Sequence, residues 1–240
     1  MLIRTQKGLS LIELMIGLLV GAIVVAGAIK IFTGSAKNSS DNIKLSMLNQ
    51  DLRVMMDIMV RDIRRAGYRY NASITNAPAF LNTIRHNPFT EINIEASDPC
   101  ITYLYDKNTA TPSIIDSSER MGFRLKNDLL QMRRTSTALP CANGIWESIT
   151  TPKVKITQLT FTLDPDPPVL LNITQKKLHP TSAVVTCNVG DECLIIRNIK
   201  IGLTGELEED ATTTQTLTET VRVRNDQYCK IGSLSPRTCI

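Results

Sequence analysis

Hydrophobic and polar positions follow three successive patterns along the chain. From Leu9 to Ile29 every residue is uncharged except Glu13. About 20 such residues in a helix cross a hydrocarbon core ~30 Å thick, so this stretch predicts a membrane-spanning helix. After a polar passage at Thr33 to Asn42, apolar residues return at Ile43, Met47, Leu48, Leu52, Met55, Met56, Met59, Ile63 and Ala66. Those steps put the side chains on one face of a helix, and methionine at that spacing reads as core rather than as a ligand site. Asp57 and Arg61 stand one turn apart with the acid first, Arg64 and Arg65 fall in the last turn, and Gly67 suits a C-terminal cap. If the two segments are continuous, the helix runs over residues 9–66 and is roughly 87 Å long.

Beyond about Asn71 the composition shifts to Thr, Ser, Asn and Pro with short β-prone runs, which predicts one β-rich domain over residues 68–240. The expected strands are Ile101 to Tyr105, Gly122 to Lys126, Leu129 to Arg133, Ile145 to Thr150, Val154 to Leu163, Leu194 to Leu203 and Leu217 to Asn225. Asn127-Asp128 tolerates left-handed backbone and predicts a hairpin between the second and third of these. The apolar parity of the Val154 run changes between Ile156 and Leu159, which predicts a bulge near Thr157-Gln158. Asp164-Pro165-Asp166-Pro167-Pro168 cannot pair in a ladder and reads as a loop. The fold class is therefore α+β, one long N-terminal helix packed on an antiparallel β-rich domain.

All six cysteines, Cys100, Cys141, Cys187, Cys193, Cys229 and Cys239, lie in the β-rich part. An even count outside the apolar helix implies disulfides in an oxidising compartment. The expected pairs are Cys187 with Cys193 across Asn188-Val189-Gly190-Asp191, Cys229 with Cys239 near the end, and Cys100 with Cys141 by exhaustion. A zinc site is the competing reading, against which stand the lack of a C-x-x-C pair and the isolation of His86 and His179. Asp164 and Asp166 with Asp191 and Glu192 offer oxygen ligands for calcium, without an EF-hand pattern.

Charge and motif content exclude more than they assign. The formal charge is +4, and residues 1–8 carry Arg4 and Lys7 with no acid. Arg133-Arg134 and Lys176-Lys177 read as solvated surface pairs rather than a phosphate track, so no nucleic-acid partner is expected. No Ser/His/Asp set, glycine-rich phosphate loop or fixed carboxylate pair is present, and neither an enzyme nor a cofactor is expected. The acid in the apolar segment remains to be explained, because a carboxylate at the bilayer centre costs roughly 2.5–3.5 kcal/mol even on the lenient scale.

Gly8-Leu9-Ser10-Leu11-Ile12-Glu13-Leu14 resembles the type III signal sequence of type IV pilins and pseudopilins. Leu9 stands where phenylalanine is commonest in that family, and Ser10 where threonine is. The resemblance implies cleavage by a prepilin peptidase between Gly8 and Leu9, N-methylation of Leu9, and Glu13 as the assembly glutamate. A carboxylate there can pair with the terminal amine of a neighbouring subunit and so satisfy two charges in apolar surroundings. Residues 1–8 are then a leader peptide, 9–29 the transmembrane and filament-core helix, 30–67 its amphipathic continuation, and 68–240 a periplasmic pilin-like domain. A secretory leader ending at Ala26-Gly27-Ala28 and a plain single-span anchor are the competing readings.

Arg61-Asp62-Ile63-Arg64-Arg65-Ala66-Gly67-Tyr68, within residues 52–70, resembles the PilW minor pilins and more distantly the J-class pseudopilins of type II secretion. That likeness implies a minor pilin in a priming and tip complex that starts pilus polymerisation. The partners implied are other minor pilins, the major pilin, the inner-membrane assembly platform, the prepilin peptidase and a tip adhesin. The implied location is a single pass of the inner membrane with a cytoplasmic N-terminus, then the pilus fibre. A J-class pseudopilin, and an anchored periplasmic binding module that never polymerises, are the alternatives.

Overall fold

The protein is described by a computed structural model covering residues 10–69, 87–97, 99–107, 115–174, 186–234 and 237–239, with only the backbone described from residue 233 onward. Gly8, Leu9, His86, His179, Lys176 and Lys177 lie outside the described residues. The chain divides into two compact units, Met1–Met47 and Leu48–Ile240. In the first, the only described element is helix α1 (Leu11–Ile63), whose residues up to Met47 are all unburied.

The Leu48–Ile240 unit takes the end of α1 as part of its core. Leu48, Leu52, Met55, Met56, Met59 and Ile63 are buried, so the methionines are packing residues. Ile43 and Met47, which spacing places on the same face, are 59% and 42% exposed. Periodicity reports an apolar stripe and not what covers it, and the cover begins only at Leu48. The last α-helical residue is Ile63, short of the expected Ala66, and the chain closes through turns in which Arg65 N donates to Asp62 O and Ala66 N to Ile63 O. Gly67 has φ +78, where a Cβ would meet Asn225 Cβ at 3.0 Å, so only glycine fits the stop.

The strands in chain order are β1 (Ile92–Glu95), β2 (Cys100–Leu104), β3 (Arg120–Lys126), β4 (Leu129–Thr135), β5 (Ile145–Ser148) and β6 (Val154–Leu163). There follow β7 (Val169–Asn172), β8 (Glu192–Ile196), β9 (Asn198–Leu207), β10 (Asp210–Arg222), β11 (Gln227–Leu234) and β12 (Arg237–Cys239). They form three antiparallel sheets, ordered β1-β2-β3-β4-β5, β10-β9-β6 and β12-β11-β8-β7. The β3–β4 hairpin turns on Asn127 and Asp128 at φ 53 and 59, a two-residue turn of the primed kind that matches strand twist. The β6–β9 register shifts between Ile156 and Gln158, so Val154 and Ile156 on one side of the bulge and Leu159 and Phe161 on the other all face inward.

One expected strand, Leu194 to Leu203, is two strands. Arg197 separates β8 from β9, and the chain passes from the four-stranded to the three-stranded sheet there. Cys193, Ile195, Arg197, Ile199, Ile201 and Leu203 are all buried. The period-2 alternation thus runs unbroken through the change of sheet and carries no signal of it. The larger hydrophobic cluster joins α1 from Leu48 to the five- and three-stranded sheets, and a smaller one lies on the four-stranded sheet around Cys193, Ile195, Cys229 and Ile231. Leu52 of α1 lies against Gly205 of β9, where a Cβ would stand 2.8 Å from Leu52 Cδ2. A Cβ there would also stand 3.0 Å from Lys155 O, so a larger residue on β9 would have to displace the leucine.

Candidate functional site

Among the described residues of the first unit, every side chain of α1 up to Met47 is unburied. Its first hydrogen bonds run from Glu13 N and Leu14 N to Ser10 O, at 3.1 and 3.2 Å. The helix is long and apolar enough to cross a membrane, and Glu13 is its only acid in the first turn. A Cβ built on Gly17, Gly21 or Gly27 meets no atom within 4 Å, so no packing inside this chain calls for these glycines. Small residues at such positions let a second helix approach closely in lipid. The expected cleavage position, Gly8 and Leu9, falls outside the described residues, whereas Ser10 to Leu14 of the same run are described.

At the other end of α1 a buried polar network ties the helix to β2. Asp62 is 8% exposed, and its two carboxylate oxygens accept hydrogen bonds from Tyr103 OH at 2.5 Å and Tyr105 OH at 2.8 Å. Arg65 lies 3.7 Å from Asp62 and stacks over the Tyr105 ring at 4.3 Å. Gly67 N donates to Leu104 O, Asn225 Nδ2 to Ala66 O and Arg224 N to Arg64 O, so the chain just past the helix is also tied down. The helical spacing hinted at this role for Asp62, because position 62 lies three residues beyond Met59 on the buried face. The partners, more than 40 residues away on a strand, left no local trace.

Burial, with the Asp62 charge second, raises both phenols: Tyr103 sits well above 10.0 and Tyr105 is raised likewise. In the unfolded chain both ionise near 10, so their contribution to stability is complete below that pH and is lost as pH rises beyond it. Of the five tyrosines, two should therefore stay silent when absorbance at 295 nm is followed above pH 10. They should appear only on unfolding, and a native protein in which all phenols ionise together near pH 10 contradicts the network.

Two arginines, Arg133 and Arg197, are buried, the first against expectation. Arg133, read from the sequence as one of a solvated pair, is fully buried. Its Nε donates to Arg120 O at 2.8 Å, Nη2 to Met121 O at 3.0 Å and Nη1 to Leu139 O at 2.9 Å. Its neighbour Arg134 is exposed and reaches Glu147 at 3.4 Å. Alternation along β4 sends the two to opposite faces, which adjacency in sequence conceals. Arg197 donates to Thr90 O, and burial pushes it and Arg133 down to about 10, still charged at neutral pH.

Disulfides join Cys100 to Cys141 and Cys187 to Cys193. Cys229 is disulfide-bonded as well, and the side chain of the remaining cysteine, Cys239, lies outside the described residues. Among the described residues no three His, Cys, Asp or Glu side chains gather as a metal site. The calcium reading thus finds no cluster of Asp164, Asp166, Asp191 and Glu192. Asp191 Oδ2 is instead a turn acceptor, bonded by Asn172 Nδ2 at 2.7 Å and Asn188 N at 2.9 Å.

Comparison with known proteins places both halves of this arrangement. The prokaryotic N-terminal methylation motif matches residues 3–29. The family described as prepilin peptidase-dependent protein B matches residues 41–223, most of the chain. The prepilin peptidase-dependent protein B of Escherichia coli (strain K12) is 20% identical over 150 residues, covering 61% of this chain and 72% of that protein. No solved structure matches. The chain therefore belongs to the prepilin peptidase-dependent protein B family, as a membrane-anchored, pilin-like member.

Proposed function

We propose that the chain is a PilW-like minor pilin, a structural subunit of the complex that primes type IV pilus polymerisation and stays near the fibre tip. The observation that carries this reading is the exposed apolar N-terminal stretch of α1, which bears one acid in its first turn and overlaps a methylation motif. An anchor alone needs no acid, whereas a subunit that leaves the bilayer for a filament needs a contact that replaces lipid. In this reading residues 1–8 are removed by the prepilin peptidase, Leu9 is methylated, and Glu13 pairs with the amine of a neighbour. Gly17, Gly21 and Gly27 leave room for adjacent helices. Other minor pilins, the major pilin and a tip adhesin are the filament partners, and the inner-membrane platform is the machine. The N-terminus stays cytoplasmic and the β unit is periplasmic before assembly.

The test is the N-terminal mass of the protein from native membranes, with and without the prepilin peptidase. A chain beginning at N-methylated Leu9 only when the peptidase is present is the expected result. A start after Ala28, or an intact Met1 in both strains, overturns it. Loss of surface pili with unchanged type II secretion in a null strain separates this reading from a J-class pseudopilin.

A further inference from the structure

The four-stranded sheet gathers three cysteines in one small core. Cys187, Cys193 and Cys229 are 7%, 0% and 1% exposed. Cys187 and Cys193 are bonded, with Cα atoms 6.5 Å apart, and Cys229 is held in a separate disulfide. The register of β8 and β11 nevertheless sets Cys229 directly opposite Cys193. Directly opposed residues of an antiparallel pair share a face, with Cα atoms about 4.5–5.5 Å apart. That lies inside the ~4.4–6.8 Å that a disulfide spans. Cys193 is thus within disulfide reach of two different cysteines.

We propose that Cys187, Cys193 and Cys229 form a thiol–disulfide exchange relay, in which opening either disulfide of this sheet is answered by a new bond between Cys193 and Cys229. A dithiol reductant supplies two electrons and two protons and opens the Cys229 bond. The Cys229 thiolate attacks Cys193 Sγ, the Cys193–Cys229 bond forms, the Cys187–Cys193 bond breaks, and Cys187 departs as a thiolate that takes up a proton. Entry from the other side gives the same new bond: once the reductant opens the Cys187–Cys193 bond, the Cys193 thiolate attacks Cys229 Sγ, the Cys193–Cys229 bond forms, and the former partner of Cys229 departs as a thiolate that takes up a proton.

The surrounding hydrogen bonds hold the sulfurs together while a bond is open. Gly190 N donates to Ile231 O at 2.7 Å and Ile231 N to Asp191 O at 2.9 Å, so the loop from Cys187 to Cys193 is docked on β11 independently of its disulfide. Asn172 Nδ2 on Asp191 Oδ2 fixes the same loop from β7. Entered by opening the Cys229 bond, the exchange moves the thiol from the sheet to Cys187, next in sequence to the exposed Asn188, Val189 and Gly190. The two central strands stay joined throughout.

The experiment opens the full-length oxidised protein in detergent with one equivalent of dithiothreitol under native conditions, blocks thiols with iodoacetamide at intervals, and maps disulfides by non-reducing peptide mass. The expected result is a Cys193–Cys229 peptide that grows with time while alkylated Cys187 accumulates. The Cys239→Ser variant, which removes the expected partner of Cys229, should contain the same peptide without any reductant, in a protein whose far-UV circular dichroism is unchanged. Absence of the Cys193–Cys229 peptide from either sample overturns the relay.

Discussion

A chain carrying Glu13→Leu is expected to accumulate in the membrane as well as the natural one and to vanish from the filament. Glu13 is exposed and belongs to the first unit, whereas the hydrophobic core of the other unit begins at Leu48. Leucine suits a bilayer better than a carboxylate does, so insertion is preserved or improved. In the filament, however, the substitution would strand the terminal amine of a neighbouring subunit in apolar surroundings. Breaking a buried pair in this way costs about 3–5 kcal/mol, or roughly two to four orders of magnitude in incorporation. Glu13→Gln, which keeps a hydrogen-bond acceptor without the charge, should fall between. The measurement is the ratio of this protein in sheared pili to that in the membrane fraction. An unchanged ratio for the leucine variant would reduce Glu13 to a passenger and leave the apolar helix as an anchor.

The second large effect belongs to stability. Asp62→Ala removes both acceptors of two buried phenol hydroxyls, and hydrogen bonds to a charged group contribute about 1.5–3 kcal/mol each. The loss should be about 3–5 kcal/mol, lowering the melting temperature of the Leu48–Ile240 unit by roughly 6–20 °C. Circular dichroism of the full chain in detergent reads this directly. The cost comes from orphaned hydroxyls and not from a missing charge, so it should be largely recovered when the hydroxyls go as well. A triple variant, Asp62→Leu with Tyr103→Phe and Tyr105→Phe, is expected to melt closer to the natural protein than Asp62→Ala does. A triple variant no more stable than the single one would show that Asp62 acts through Arg65 or the helix end instead.

The sequence made the helix and much of the large core legible because both rest on local period. Residues 48 to 63 announce their buried face at steps of three and four, the Asn127-Asp128 turn announces a hairpin, and the parity change in β6 announces its bulge. What stayed hidden depends on pairings between distant positions. The change of sheet at Arg197 leaves alternation intact, and the burial of Arg133 follows from which face of β4 meets the chain at Ala138 to Pro140. Strands β1 and β7, four residues each and mostly half-buried, are too short to stand out from loop. The signal residues were legible for a different reason: the methylation motif is a run of consecutive positions and needs no distant partner to be read.

The fastening of the helix end has a mechanical consequence. A pull on α1 at Leu48 meets the leucine and methionine packing, the Asp62 carboxylate on two phenols, and main-chain ties from Arg64, Ala66 and Gly67 to two separate parts of the β unit. These restraints share the load, so the helix cannot be peeled off one turn at a time. The helical stretch from Thr33 to Asn42 has no such support, being wholly exposed and built from one glycine, three serines and two asparagines among its residues. Each of these costs roughly 0.5–1 kcal/mol of helix propensity relative to alanine. Under tension that stretch is the compliant link, a fuse that lengthens before the folded cap lets go.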